Sequence, residues 1–124
     1  MLDLKNNFDV ISTAAPSART ATFNSTGVDL ANYDGAMVVI HPGTITDGTH
    51  TPTLQESSDN STFSAVAASD MIGTLAAIAT NTVQRVGYIG SKRYIRLNVT
   101  VAGATTGGVY GANVVRGVSK KKPL

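Results

Sequence analysis

The chain contains no cysteine and no tryptophan, and charged residues make up only 15% of its 124 residues. Without cysteine it can form neither a disulfide framework nor a thiolate metal site. Residues 1–5 include no apolar segment of the kind found in secretory signals. No stretch approaches the ~20 apolar residues that a membrane helix needs. We therefore expect a protein that is made in a cytoplasm and does not enter a membrane.

The residues that replace the missing charge are mostly small, polar or β-branched. Threonine, serine, asparagine, glycine and alanine recur throughout the sequence. β-Branched side chains fit the pleated surface of a sheet, while glycine and asparagine serve tight turns. A chain of this length suits one domain, which buries roughly two-thirds of the surface of the unfolded chain. The composition predicts an all-β domain whose surface suits packing against another molecule.

Short apolar or alternating segments recur roughly every ten residues. The clearest is residues 36–40, five consecutive apolar residues between turn signals, which predict a central strand buried on both faces. Gly73 interrupts an alanine-rich stretch over residues 67–79, so we interpret this stretch as strand and loop. The other predicted strands cover residues 19–23, 28–30, 51–57, 63–66, 82–89, 94–101 and 109–118. About eight short strands predict an all-β, antiparallel β-sandwich of jelly-roll type.

Three regions follow from this division of the chain. We expect an extended N-terminal arm over residues 1–18, a β-sandwich domain over residues 19–118 and a basic C-terminal tail over residues 119–124. Extended termini can add strands or contacts to a neighbouring molecule. The side chains that we expect to bind a partner from these termini are Leu2, Leu4 and Phe8 in the arm and Lys120, Lys121 and Lys122 in the tail.

The charges of the chain are strongly segregated along the sequence. All eight carboxylates lie between Asp3 and Asp70, whereas eight of the ten lysines and arginines follow residue 70. Such segregation can indicate a face that binds nucleic acid. The alternative, which we favour, is that acidic early strands lie beside basic late strands, within one sandwich or across a subunit interface.

The densest basic segment, residues 92–96, interleaves one tyrosine with three basic residues. This pattern could follow phosphates and stack a base. On a strand, however, Ile95 would face the core while Arg96 faces outward. Arg93 would stand where the strand begins and reach solvent or an acidic strand. We therefore expect Arg93 and Arg96 to contact a protein partner, and we do not expect nucleic acid to be bound.

The sequence offers few groups for catalysis or for metal binding. Its two histidines, His41 and His50, lie nine residues apart without a third ligand at an obvious spacing. Asp47, Asp59 and Asp70 could supply oxygen ligands to calcium, but each stands where a turn needs a short side chain that bonds its own backbone. Residues 71–124 contain no carboxylate side chain that could pair with these as acid or base. We expect no enzymatic activity, no cofactor and no metal.

Two segments, residues 54–63 and residues 86–97, resemble small β-rich proteins encoded in the head-gene modules of tailed bacteriophages. Proteins of that group decorate or cement the capsid lattice, and several have jelly-roll folds. The resemblance implies a structural virion protein on the capsid surface, made in the cytoplasm of the host, with the major capsid protein as its partner. A component of the phage tail or connector is a close alternative.

The same two segments are also similar to the discoidin-type galactose-binding fold. That similarity implies a carbohydrate-binding module as a further alternative. Asn60 stands where the discoidin pattern has glycine, and Phe63 where it often has tryptophan. No tryptophan is available to stack on a sugar ring.

Self-association is the last expectation from the sequence. An isolated sandwich exposes the edges of its sheets, and this chain has few charges with which to protect them. We therefore expect a homo-oligomer that covers those edges, a homodimer in preference to a trimer.

Overall fold

Ten β-strands and one turn of 3₁₀ helix make up the regular structure of residues 1–119. The structure, a computed structural model, describes residues 1–119 and the side chains up to Gly117. The predicted contacts Lys120, Lys121 and Lys122 therefore lie outside the described residues. The elements are β1 (Phe8–Arg19), β2 (Phe23–Asn24), β3 (Val28–Asp29), β4 (Tyr33–Ile45), β5 (Thr49–Ser57), β6 (Ser64–Ala65), the 3₁₀ turn (Ala68–Asp70), β7 (Met71–Ile72), β8 (Gln84–Tyr88), β9 (Tyr94–Ala102) and β10 (Gly108–Ser119).

The strands form two antiparallel sheets that pack face to face. The first sheet has the order β1-β10-β4-β8-β7, and the second has the order β2-β9-β5-β6, with β3 also pairing with β9. Strands from the two ends of the chain are thus neighbours in both sheets, as in a jelly roll. β2 and β3 share one jelly-roll position, because they pair with β9 one after the other. The predicted antiparallel sandwich of jelly-roll type is confirmed.

The core lies between the two sheets and follows the alternation of the strands. On β9, Ile95, Leu97 and Val99 are buried, whereas Tyr94 and Arg96 face outward and are half-buried. This arrangement is the one that the sequence predicts for this strand. The other large, fully buried aliphatic side chains are Val28, Val38, Ile40, Leu54, Val86 and Val114. Each such side chain contributes about 1.5–3 kcal/mol through its removal from water.

The boundary of the N-terminal arm differs from the expected one at residue 18. Residues 8–19 form β1 and pair with β10, so only residues 1–7 precede the sandwich. β10 is a central strand that needs a neighbour on each side, and Thr13 and Ala14 of β1 are buried. The sequence around Pro16 suggests a break, but the strand accommodates it with two shifts in register.

Two other segments refine the predicted strands. The strand expected over residues 19–23 is reduced to Phe23–Asn24, because Arg19 still belongs to β1. Residues 67–79 hold the 3₁₀ turn, the short strand β7 and a loop, in agreement with the interpretation as strand and loop. Within residues 1–119, no helix is long and apolar enough to span a membrane.

Candidate functional site

Four apolar side chains and one glycine form a row that crosses the outer face of the first sheet from one edge to the other. Val10 of β1 pairs with Val115 of β10, and Val115 pairs with Met37 of β4. Met37 pairs with Gly87 of β8, which in turn pairs with Ile72 of β7. Val10 is 62% exposed and Ile72 is 63% exposed. Every strand of this sheet therefore contributes one uncharged residue to what we call the apolar row.

A groove of about 540 Å³ lies over one end of the apolar row. The side chains that line it are Leu4, Lys5, Phe8, Val10, Met37 and Val115. Leu4 reaches this face because residues 4–8 form a turn, in which the Phe8 N–H donates to the Leu4 carbonyl oxygen at 3.0 Å. The Asp3 carboxylate accepts hydrogen bonds from the backbone and side chain of Asn6 and supports the turn.

Phe8 lies against a glycine on the neighbouring strand. Gly117 of β10 is the partner of Phe8 in the register, and a Cβ atom at this position would lie 2.6 Å from Cε1 of the Phe8 ring. A side chain at residue 117 would therefore displace the Phe8 ring from its present position on the sheet. Phe8 keeps 38% of its surface exposed in this position.

Exposed apolar side chains are concentrated at the start of the chain. Of the ten exposed large hydrophobic residues within residues 1–117, six lie within residues 1–11, namely Met1, Leu2, Leu4, Phe8, Val10 and Ile11. Single exposed apolar residues are ordinary, whereas a cluster indicates an interaction surface. Of the predicted partner contacts, Leu4 and Phe8 lie in the groove, while Leu2 is 86% exposed.

The central strand β4 carries apolar residues toward both faces of its sheet. Val38 and Ile40 face the core and are buried, but Met37 and Val39 face outward and are only half-buried. The predicted burial on both faces is thus wrong for the outer face of the isolated chain. A continuous apolar run is typical of a strand that is covered on both sides.

The two predicted arginine contacts are each bound by a neighbour in the same chain. Arg93 donates to both carboxylate oxygens of Asp29, at 2.9 Å and 2.8 Å. The Nε of Arg96 donates to Oε1 of Gln55 at 2.8 Å, and its guanidinium carbon lies 3.9 Å from the centre of the Phe63 ring. Both guanidinium groups are therefore oriented within the chain, and their contact with a partner stays a prediction.

A second ion pair joins the start of β1 to the end of β10. Arg116 donates to the Asp9 carboxylate and also to the Asp29 carbonyl oxygen at 2.9 Å. The hydrogen bond from Arg116 is the main cause that lowers the pKa of Asp9. Together with the pair of Arg93 and Asp29, this contact confirms that acidic early strands lie beside basic late strands in one sandwich.

A polar cleft of about 420 Å³ lies between residues 30–36 and residues 88–93. The Tyr88 hydroxyl on its wall donates to Oε1 of Glu56 at 2.7 Å and accepts from the Lys92 N–H at 3.0 Å. Burial raises the pKa of Tyr88 to about 12, so the hydroxyl stays protonated near neutral pH. The residues that line this cleft include neither histidine nor cysteine.

The two histidines lie in different environments. His41 is exposed on β4, whereas His50 is fully buried. Its Nε2 lies 3.1 Å from the Asp47 carbonyl oxygen, which can only accept, so Nε2 carries the proton. Its Nδ1 therefore accepts from the Tyr110 hydroxyl at 2.9 Å. His50 is a hydrogen-bonded core residue.

Two of the aspartates considered as calcium ligands organise loops. Asp47 accepts hydrogen bonds from the N–H groups of residues 105, 106 and 107, and these lower its pKa. Asp59 accepts from the N–H groups of Ser61 and Thr62, which likewise lower its pKa. Within residues 1–119, no three histidine, aspartate or glutamate side chains are grouped to hold a metal ion.

Two of the three aromatic rings in the segments that suggest sugar binding, those of Phe63 and Tyr94, each have an arginine over one face. The guanidinium carbon of Arg96 lies 3.9 Å from the centre of the Phe63 ring, and that of Arg93 lies 5.2 Å from the centre of the Tyr94 ring. Each of these cation–π contacts occupies one face of the ring, so that face is not available for stacking on a sugar.

Comparison with solved structures identifies similar folds at low sequence identity. The PBSX exported protein XepA has a TM-score of 0.62 and 17% identity over 98% of this chain, which spans 40% of the length of XepA. The structure of infectious bursal disease virus Gx strain has a TM-score of 0.45 and 12% identity over 92% of this chain and 32% of that one.

A third similar structure is the C-terminal family 22 carbohydrate-binding module of Clostridium thermocellum Xyn10B. It has a TM-score of 0.40 and 10% identity over 99% of this chain and all of the module. With TM-scores below 0.5, the virus structure and the carbohydrate-binding module support no conclusion about this chain. The likeness to XepA supports the fold alone. No protein-family model matches the chain, and no curated protein is similar enough to count as a relative.

Proposed function

We propose that the protein is a non-enzymatic structural protein of a tailed-phage virion that binds the outside of the capsid lattice. The observation that carries this proposal is the apolar row with its groove on the outer face of the first sheet. The row includes Val10, Met37 and Ile72, and every strand of the sheet contributes to it. An apolar face of this kind indicates a protein partner, because a large exposed apolar patch is rare on an isolated soluble domain.

The shape of the surface fits a role in cementing a lattice. A sheet face is rigid, and the adjacent groove can accept an apolar side chain from a neighbouring subunit. Each copy would bind modestly, and repetition over a symmetric shell would multiply the stabilising effect. The major capsid protein is the proposed partner. The basic residues Lys120, Lys121 and Lys122 would add a second contact to an acidic capsid surface.

The phage assignment itself rests on the resemblance of residues 54–63 and residues 86–97 to head-gene proteins. The likeness to the PBSX exported protein XepA supports the fold alone. Carbohydrate binding is the alternative that we favour less, because Arg96 and Arg93 lie over the rings of Phe63 and Tyr94 and the chain has no tryptophan to stack on a sugar. Homo-oligomerisation, with a dimer in preference to a trimer, is a separate proposal that binding to the capsid does not require.

Co-sedimentation with phage particles tests the proposed function. The purified protein is mixed with procapsids and with expanded heads of the phage that encodes it, and the pelleted protein is quantified. We expect saturable binding to expanded heads and an increase in their thermal stability. The variant Met37→Lys places a charge in the middle of the apolar row and should lower the affinity at least ~10-fold.

The matched control is Val83→Lys, since Val83 is also exposed, at 55%, but lies before β8 and outside the groove. This control should bind heads like the unmodified protein. Failure of the unmodified protein to bind either form of the head would refute the proposal. Binding to isolated tails instead of heads would assign the apolar row to a tail or connector partner.

A further inference from the structure

β1 is an edge strand, and its two halves differ in how well they are protected against pairing with another chain. Within the described residues it pairs with β10 alone. On its other side, the Phe8 N–H donates to the Leu4 carbonyl oxygen at 3.0 Å and the Thr13 carbonyl oxygen accepts from the Thr26 N–H at 2.8 Å, so the open stretch lies between these two residues. Its second half contains Pro16 and two register shifts, after Ser12 and after Ala14. Prolines and bulges are the devices that keep an edge strand from pairing with another chain. Residues 8–12 have neither and pair regularly with β10.

The other sheet edges in the described part of the chain are too short or too well protected to act as templates. β7 closes the first sheet with two residues, and β2, β3 and β6 are also two residues long. Short edge strands of this kind offer few open backbone groups. β5 extends past β6 over residues 49–54, but Pro52 interrupts this edge, and the carbonyl oxygens of His50 and Leu54 accept from the N–H groups of Ile78 and Val66. Residues 8–12 are therefore the longest regular edge without such protection within residues 1–119.

Residues 8–12 carry apolar side chains on both faces of the strand, and the one charge among them is neutralised by an ion pair. Val10 is 62% exposed on the outer face, and Ile11, on the opposite face of the strand, is 37% exposed. Asp9 is the only charged residue of the segment, and Arg116 neutralises it within the chain. Charges that would repel a second strand, such as lysine, are missing from this stretch.

We propose that residues 8–12 pair antiparallel with the same residues of a second copy, about a two-fold axis at Val10. In this register Val10 faces Val10 of the other copy, and Phe8 faces Ser12 of the other copy. Asp9 faces Ile11 of the other copy, so no like charges stand directly opposite each other. The two first sheets then form one continuous sheet of ten strands with both grooves on the same side.

A second copy fits this edge because the segment is complementary to itself in this register. The Leu4 carbonyl oxygen accepts from the Phe8 N–H at the start of the segment, but the Leu4 side chain lies over the sheet face in the groove with Met37 and Val115, which leaves residues 9–12 for a second copy. The pairing itself is independent of the proposed function. Its consequence, two capsid-binding faces joined in one rigid body, rests on that function and raises the effective concentration of the second contact.

Sedimentation velocity over about 1 µM to about 1 mM protein tests the pairing, because a short strand interface is expected to be weak. We expect a reversible dimer. Val10→Lys and Val10→Glu should each abolish it, because each places two like charges face to face across the axis. A mixture of the two variants should restore a dimer that contains one copy of each. The control Val83→Lys should dimerise normally.

Cysteine cross-linking supplies a second test that does not depend on weakening the dimer. The chain has no cysteine, so Val10→Cys introduces a single thiol opposite its own copy. Under mild oxidation it should form a covalent dimer at least ~10-fold faster than Val83→Cys. Thermal melting of each variant verifies that the sandwich is folded, which the 62% exposure of Val10 leads us to expect.

Several outcomes would overturn the proposed pairing. These are a monomer at every concentration, a trimer, a dimer that Val10→Lys leaves intact, a mixture that stays monomeric, and equal cross-linking of the two cysteine variants. The capsid proposal fails separately. A protein that is monomeric but still binds heads would refute the pairing and leave the proposed function standing. A protein that dimerises but binds no heads would refute the proposed function and leave the pairing standing.

Discussion

Arg93 and Asp29 form a two-point ion pair across 64 positions of sequence, with N···O distances of 2.9 Å and 2.8 Å. The pair joins β3 to the residue that precedes β9, at one end of the second sheet. The same aspartate accepts from the Ala31 N–H at 2.9 Å and offers its carbonyl oxygen to Arg116. One early aspartate therefore binds two late arginines, Arg93 through its carboxylate and Arg116 through its backbone carbonyl oxygen.

The ion pair predicts how stability depends on pH. The bond to Arg93 lowers the pKa of Asp29 from 3.8 to about 2. Because the folded pKa lies below the unfolded one, the contribution is complete above pH 3.8 and is lost as the pH falls towards about 2. Urea midpoints should therefore decrease over this range.

The variant Asp29→Asn isolates this contribution. It can keep the hydrogen bond to Ala31 but loses the charge, so its stability should be slightly lower at neutral pH and should decrease less on acidification. The lowered pKa values of Asp9, Asp47 and Asp59 act in the same direction and leave a residual slope. An identical decrease in the variant and the unmodified protein would show that Asp29 does not contribute.

His50 gives a prediction about the core. Replacement by leucine supplies a side chain of similar size, but it leaves the Asp47 carbonyl oxygen and the Tyr110 hydroxyl without their hydrogen bonds to the imidazole. We expect His50→Leu to lower the free energy of unfolding by about 2–4 kcal/mol, because unsatisfied buried polar groups cost about 1–3 kcal/mol each.

Denaturant unfolding measures this loss, and two further variants test its cause. His41→Ala, on an exposed position of the same region of sequence, should change stability by less than about 0.5 kcal/mol. Tyr110→Phe in the His50→Leu background should recover part of the loss, since it removes one unsatisfied hydroxyl. If it lowers stability further, the loss comes from packing instead.

The fold was predictable where it depends on local patterns. The period of two along β9 assigns Ile95 to the core and Arg96 to the outer face without knowledge of any other strand. β1 could not be recognised in this way, because the residues around Pro16 break its pattern and only the pairing with β10 makes it a strand. The composition and spacing nevertheless suffice for the jelly-roll class.

The candidate site was predictable in part. Leu4 and Phe8 stand out in the sequence as apolar residues near the terminus, and the structure places both in the groove. Met37, Val115 and Ile72 join the apolar row only through the order of the strands, which is non-local. The one available signal was the continuous apolar run of residues 36–40. Its outward-facing residues, Met37 and Val39, are only half-buried in the isolated chain.

Gly117 supports a prediction about the groove. Gly117→Ala should displace the Phe8 ring, since the new methyl group would lie 2.6 Å from it. We expect a loss of stability of about 1 kcal/mol and weaker binding to heads, similar to that of Phe8→Ala. In a Phe8→Ala background the same substitution should have almost no effect on unfolding. An undiminished effect in that background would mean that the alanine disturbs β10 itself.

Deletion of the N-terminal segment separates docking from folding. Residues 1–7 precede β1 and include Leu2 and Leu4, so their removal should weaken binding to heads while unfolding stays cooperative. Deletion of residues 1–9 also removes Phe8 from β1 and breaks the ion pair between Asp9 and Arg116. We therefore expect the longer deletion to melt at a lower temperature than the shorter one. If deletion of residues 1–7 leaves the affinity for heads unchanged, the segment has no part in docking, and the apolar row must bind through the sheet face alone.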